Sequence, residues 1–202
     1  MLAGKPFETV IEAIFKAIKV RPEDKEQKEI IDRVLAWLGR LVKVEAGYTK
    51  ILASKDIMLK LIIYYSFAET NKNALITLHA LCNKPNFKEV CYDTHGFTAN
   101  SFDVMATAAK ENFQKYCDAA AWDDYVNCCA SLTAFVGAFP ERAHEFKELI
   151  VPLIRVCSDK TDRVRKNSAV LLAKLAQDED NKRIMQANHG TEVLYSLQNS
   201  LF

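Results

Sequence analysis

Residues 71–96 read NKNALITLHALCNKPNFKEVCYDTHG, and residues 164–190 read VRKNSAVLLAKLAQDEDNKRIMQANHG. Each opens on a stretch with apolar residues at helical spacing, passes a polar break, continues through a shorter helical stretch and ends in a His-Gly pair. Leu81 to Gly96 spans 15 residues, and so does Leu175 to Gly190. Working outward, one register returns four times: Leu38, Leu78, Leu132 and Leu172, separated by 40, 54 and 40 residues. Three positions on it reads Leu41, Leu81, Phe135 and Leu175, and five positions before it reads Arg33, Asn73, Asn127 and Asn167. A single globular core has no reason to recur at a fixed pitch, whereas stacked helical units do.

Helical periodicity covers almost the whole chain, and strand-like alternation is absent. Residues 7–19 place Phe7, Val10, Ile11, Ile14, Phe15 and Ile18 on one face. A long helix is expected over 26–43, with Ile30, Ile31, Val34, Leu35, Leu38 and Leu41 as its apolar stripe. A compact helix near 48–54 and a second at 56–69 follow. The long helix then recurs at 73–82 and 164–176, and the short one at 86–94 and 181–188. Glycine at 96 and 190 suits a tight turn with an unusual backbone angle, and the histidines before them are read as turn residues. The 54-residue interval is longer than its neighbours, and the excess is placed near 110–125, as a longer helix or a projecting loop.

These stretches resemble the armadillo family, whose repeats of about 42 residues run short, second and longer third helix. Asn167, Leu172, Leu175, Asn181 and Gly190 match the family's usual positions, as do Asn73, Leu78, Leu81, Asn86 and Gly96. The resemblance implies an all-α, right-handed α-α superhelix of about four to five repeats over residues 1–202, with partial repeats at both ends. It is strongest at 56–100 and 162–202, and related HEAT-type repeats remain open for the middle. The expected role is binding of a protein or peptide partner in the groove lined by the third helices. The Trp-x-x-x-Asn ladder of the family's nuclear-import members is missing: Ala36, Ile76, Ala130 and Val170 stand at the Trp positions, and Arg40, Ala80, Ala134 and Lys174 at the Asn positions. The groove candidates are therefore Arg33, Arg40, Asn73, Asn127, Asn167 and Lys174. Regularly spaced asparagines suit hydrogen bonding to an extended peptide; the alternative is local bonding to their own helix. Phe113, Tyr116 and Trp122 are secondary partner-binding candidates, with core packing as the alternative.

Composition narrows the remaining classes. Half of the 202 residues are hydrophobic and the formal net charge is +1. That is a packed protein without a general attraction to nucleic acid or acidic membranes. Residues 101–150 hold four basic and eight acidic side chains, while Lys160, Arg163, Arg165, Lys166, Lys174, Lys182 and Arg183 make the last repeats basic. Interleaved Asp159, Asp162, Asp178, Glu179 and Asp180 favour a solvated, salt-bridged face over a nucleic-acid stripe. The apolar run IMLKLIIYYSF is too short to span a bilayer and carries Lys60. The N-terminal stretch does not read as a secretory signal, and the setting expected from free thiols is cytoplasmic, with a nuclear or cytoskeleton-associated one open.

Six cysteines are present. His79, Cys82, Cys91 and His95 have zinc-like spacing, but the repeat register puts Cys82 level with Val42 and Val136, and Cys91 level with Ile51 and Met185. Both read as core residues, and no metal is assigned. Cys117 beside Asp118 has no local base, and Asp123-Asp124 suits the start of a helix near Tyr125. No phosphate loop, His-Glu-x-x-His or nucleophile elbow occurs. The expectation is a non-catalytic adaptor or scaffold without cofactor or small-molecule substrate. The alternative is a structural subunit of a larger cytoskeletal, ciliary or chaperone-associated assembly, held through its solenoid ends.

Overall fold

The computed structural model describes residues 25–65, 71–159 and 161–201, with Thr9 and Ala13. The helix expected at 7–19 and the end of the one expected at 56–69 lie outside the described residues. The described chain is all-α, with no strand. The helices are α1 (Lys25–Leu41), α2 (Glu45–Ala53), α3 (Lys55–Tyr65), α4 (Asn71–Cys82), α5 (Phe87–Glu89), α6 (Asp103–Asp118), α7 (Trp122–Ala138), α8 (Ile150–Asp159), α9 (Asp162–Leu175), α10 (Glu179–Ala187) and α11 (Gly190–Leu201). A π-helical turn, Val90–Thr94, continues α5, and 3-10 segments occupy Ala99–Phe102 and Pro140–Leu149. The chain divides into two compact units, Met1–Ala108 and Ala109–Phe202.

Local chemistry accounts for these elements. Glu26 in the first turn and Arg40 in the last turn of α1 oppose the helix dipole. Ile31, Leu35 and Leu38 of α1 are fully buried. Ile30 of the expected stripe is instead 46% exposed. Adjacent helical residues point about 100° apart, so Ile30 and Ile31 cannot both face one core. Asp123 and Asp124 fall in the first turn of α7, as their charge favours. Asp178 caps α10, its side chain accepting from the Asn181 N–H at 3.0 Å.

The expected helix at 86–94 is one α-turn that widens into a π-turn, with the His95 N–H reaching back to the Val90 carbonyl at 3.0 Å. The excess of the 54-residue interval is taken up by the Ala99–Phe102 segment and by α6, which runs to Asp118. A tight turn at Ala120, with φ +52, leads directly into α7. No projecting loop forms there.

In the first unit α4 packs against both α1 and α3. In the second, α9 packs against both α7 and α8, and α11 lies against α8 and α9. The leucine ladder is the spine of both: Leu38, Leu78, Leu132 and Leu172 are at most 2% exposed. Side-chain hydrogen bonds repeat the same pitch. Within the first unit Asn73 Nδ2 donates to Asp32 Oδ1 at 2.6 Å, Thr77 Oγ1 to the Leu35 carbonyl at 3.4 Å, and Tyr48 OH to Asn86 Oδ1 at 3.3 Å. Within the second, Tyr125 OH and Ser168 Oγ are 2.8 Å apart, and Asn181 Nδ2 donates to the Ala143 carbonyl at 2.8 Å. These partners are 38 to 43 residues apart in sequence.

The two His-Gly turns solve one problem differently. At 95–96 the glycine takes the left-handed backbone, with φ +65. At 189–190 the histidine takes it, with φ +58. Gly190 is needed there for close approach, since a Cβ would lie 2.5 Å from Met185 Cγ and 2.8 Å from Ile154 Cδ1. His95 is more than a turn residue: it is buried, and its Nε2 donates to the Leu52 carbonyl at 2.6 Å.

Candidate functional site

The long helices α1, α4, α7 and α9 carry the groove candidates. On α1, Arg33 is 83% exposed with Glu29 at 4.0 Å, and Arg40 is exposed in the last turn. On α4, half-buried Asn73 is spent on Asp32. Asn127 of α7 is half-buried. Asn167 of α9 donates to the Arg163 carbonyl of its own helix at 2.8 Å, which is the local bonding that competes with peptide recognition. The stem of Lys174 lies over α7, its Cε 3.6 Å from where a Cβ on Gly137 would stand. Of the groove candidates, Arg33 and Arg40 in the first unit are exposed, whereas in the second Asn127 and Lys174 are half-buried and Asn167 is internally bonded.

Two of the secondary candidates, Phe113 and Trp122, pack against Tyr125. Phe113 is fully buried with its ring centroid 5.1 Å from Tyr125. Trp122 is half-buried and meets Tyr125 edge-on at 5.6 Å, and Tyr116 is half-buried. Core packing is what occupies Phe113.

Thiol chemistry is suppressed by burial. Cys82, Cys91, Cys128, Cys129 and Cys157 are all buried, and Cys117 is half-buried. Desolvation pushes the Cys91, Cys128 and Cys157 thiols up to about 12, and raises Cys82 and Cys129 further. None of these five is poised as a thiolate. Among the described residues no three His, Cys, Asp or Glu side chains converge as metal ligands would.

In the second unit buried Arg142 pairs with half-buried Glu145. Arg142 is 4% exposed and clamps Glu145 with two bonds, Nε to Oε1 at 2.6 Å and Nη2 to Oε2 at 2.8 Å. The clamp holds the Glu145 carboxyl below its ordinary range. Lys110 reaches the Glu145 carbonyl at 3.3 Å and Glu148 at 3.2 Å. These contacts tie α6 to the 3-10 segment and are structural in form.

Two grooves flank α11. One, of about 350 Å³, is lined by Cys157, Ser158, Arg165, His189, Glu192 and Ser196. The other, of about 230 Å³, is almost wholly apolar and lies between α9 and α11, lined by Lys166, Ala169, Val170, Ala173, Leu194 and Leu197. Val170 is 45% exposed at its edge. Reading by the ladder did not single out this second groove, because α11 has no counterpart in the leucine register.

No family model, no curated protein and no solved structure matches the chain.

Proposed function

We propose that this chain is an armadillo-like superhelix that acts as a non-catalytic interaction module, an adaptor or scaffold for a protein partner. The carrying observation is the set of side-chain hydrogen bonds at 38 to 43 residues' separation, which recurs in both units alongside the buried leucine ladder. A helical-repeat body holds its long helices in register and offers their outward faces to partners. Arg33 and Arg40, exposed on α1, are the first candidate anchors, and Lys174 on α9 is the second-unit candidate. Burial of five thiols and the absence of a converging ligand set among the described residues support a binding role over thiol or metal chemistry.

The test compares wild type with Arg40→Glu and with Lys174→Glu in affinity purification from native extract. A partner retained by wild type and lost from a charge-reversed protein supports the adaptor reading and identifies its ligand. Unchanged partners from both variants overturn it. Small-angle scattering checks the superhelix: a compact body of this length has a radius of gyration of about 17 Å, and a superhelix exceeds it. A second reading, an assembly subunit held through an end, is favoured by the apolar groove beside α11.

A further inference from the structure

The long helices stack through one kind of contact, which has an incoming side and a receiving side. In the first unit α4 comes onto α1. Asn73 Nδ2 donates to Asp32 Oδ1, Thr77 Oγ1 donates to the Leu35 carbonyl, and a Cβ on Gly39 would stand 3.2 Å from Thr77 Oγ1. In the second unit α9 comes onto α7. Arg163 pairs with Asp123 at 2.5 Å, Ser168 Oγ lies 2.8 Å from Tyr125 OH, and the Lys174 stem lies beside Gly137. The leucine ladder puts both contacts in one register, since Leu78 is level with Leu172 and Leu38 with Leu132.

Carried back to α1, the incoming side is Ile30, Arg33, Trp37 and Arg40. On α9 the equivalents of Ile30 and Trp37 are Val164 and Leu171, and on α4 the equivalent of Trp37 is Thr77; all three are buried. On α1 the same side is open: Ile30 is 46% exposed, and Trp37, which also has a contact within its own chain, is 39% exposed. Carried forward to α9, the receiving positions Asp32, Leu35, Ala36 and Gly39 become Lys166, Ala169, Val170 and Ala173. These line the apolar groove between α9 and α11. One chain therefore displays both halves of the contact that stacks its own long helices.

We propose that α1 of one copy enters the α9–α11 groove of a second copy, a head-to-tail contact that repeats the stacking of α4 on α1 and of α9 on α7. It goes beyond the adaptor reading and shares with it only the repeat register. Trp37 is the anchor. It stands where Thr77 meets Leu35 and Gly39, and α9 offers it Ala169 and Ala173 at the edge of a 230 Å³ groove; tryptophan is the side chain most often found in this role. Charge follows the same offsets. Arg163 meets Asp123 across α9 and α7, so Glu29 of the incoming copy meets Arg163. Lys174 lies beside Gly137, so Arg40 comes to Gln177, just past the last turn of α9, where the carbonyl ends favour a cation. Arg33 comes level with Lys166, but it arrives with Glu29 at 4.0 Å, and Lys166 is already engaged within its own chain. A helix of a different protein in the groove leaves the α1 face uncovered, whereas a second copy uses both.

The test is sedimentation velocity of the full chain over a concentration series. The mass of wild type is expected to rise with concentration. Trp37→Glu removes the incoming face and Ala173→Arg the seat, so each variant alone should stay a single chain where wild type is half associated. Mixed in equal amounts, the two should form a pair of twice the single-chain mass that grows no further, because each supplies the side that the other has lost. Circular dichroism checks that the variants keep their helicity, and Ile30→Asp with Val170→Asp repeats the experiment if either does not. Wild type that stays single at every concentration overturns the proposal, and so does a mixture of the variants that stays single. Association that survives Ala173→Arg also overturns it, by assigning the contact to two α1 faces or to another surface. The adaptor reading stands or falls separately, on the partners captured from extract.

Discussion

Single residues carry much of the register. Asn181 is fully buried and its Nδ2 donates to two carbonyls, Ala143 at 2.8 Å and Leu175 at 3.1 Å. Asn181→Leu leaves both carbonyls without this donor, and the expected loss is about 2–4 kcal/mol, measured by urea denaturation. Gly190→Ala drives a methyl into Met185 and Ile154, with an expected cost of about 1–3 kcal/mol. Gly96→Ala meets nothing within 4 Å and costs only its left-handed angle, about 1 kcal/mol. The asparagine at 181 and the glycines at 96 and 190 were legible as pattern positions. Their different physical tasks were not, because a one-letter pattern records that a turn exists and not which residue takes the strained angle. The bond of the His95 imidazole is not legible in a local pattern either, because its acceptor, Leu52, lies 43 residues away.

Among elements, the long helices were the most legible, because each shows three or more turns of apolar spacing. The expected 73–82 and 164–176 became Asn71–Cys82 and Asp162–Leu175. The 86–94 stretch was less so, since α and π turns share nearly the same side-chain spacing. The Pro140–Leu149 segment is held by the Arg142–Glu145 clamp rather than by periodicity. That clamp yields a pH prediction. The folded-state Glu145 pKa lies below its unfolded value, so its contribution is present above the unfolded pKa of about 4.3 and is lost as pH falls through the folded pKa. Arg142→Met should therefore flatten the acid limb of the stability curve below about pH 4.5, measured by thermal melts across pH. An acid limb identical to wild type would show that other carboxylates dominate it.

For the whole molecule, an all-α body was readable from one recurring leucine, whereas the candidate site was readable only as a set of positions. Helix faces are set by local spacing, but whether an exposed-looking Asn73 is free depends on Asp32, 41 residues away. Buried thiols give a prediction at this scale. Their folded pKa values lie above the unfolded one of about 8.5, so their contribution is complete below that pH and is lost as pH rises toward 12. Stability should fall steadily from about pH 9, and Cys128→Ala should soften that fall. No described helix is long and apolar enough to cross a membrane.

The placement of sulfur has one more consequence. Cys82 and Cys91 belong to the first unit, and Cys117, Cys128, Cys129 and Cys157 to the second. A thiol shielded from solvent can be alkylated only while its surroundings open, so the chain carries its own clock for native-state breathing. Counting added mass per molecule over time would show whether, after the half-buried Cys117, the label arrives in twos and threes or all at once. The first pattern means that each unit opens alone, and the second that the chain opens as one cooperative body.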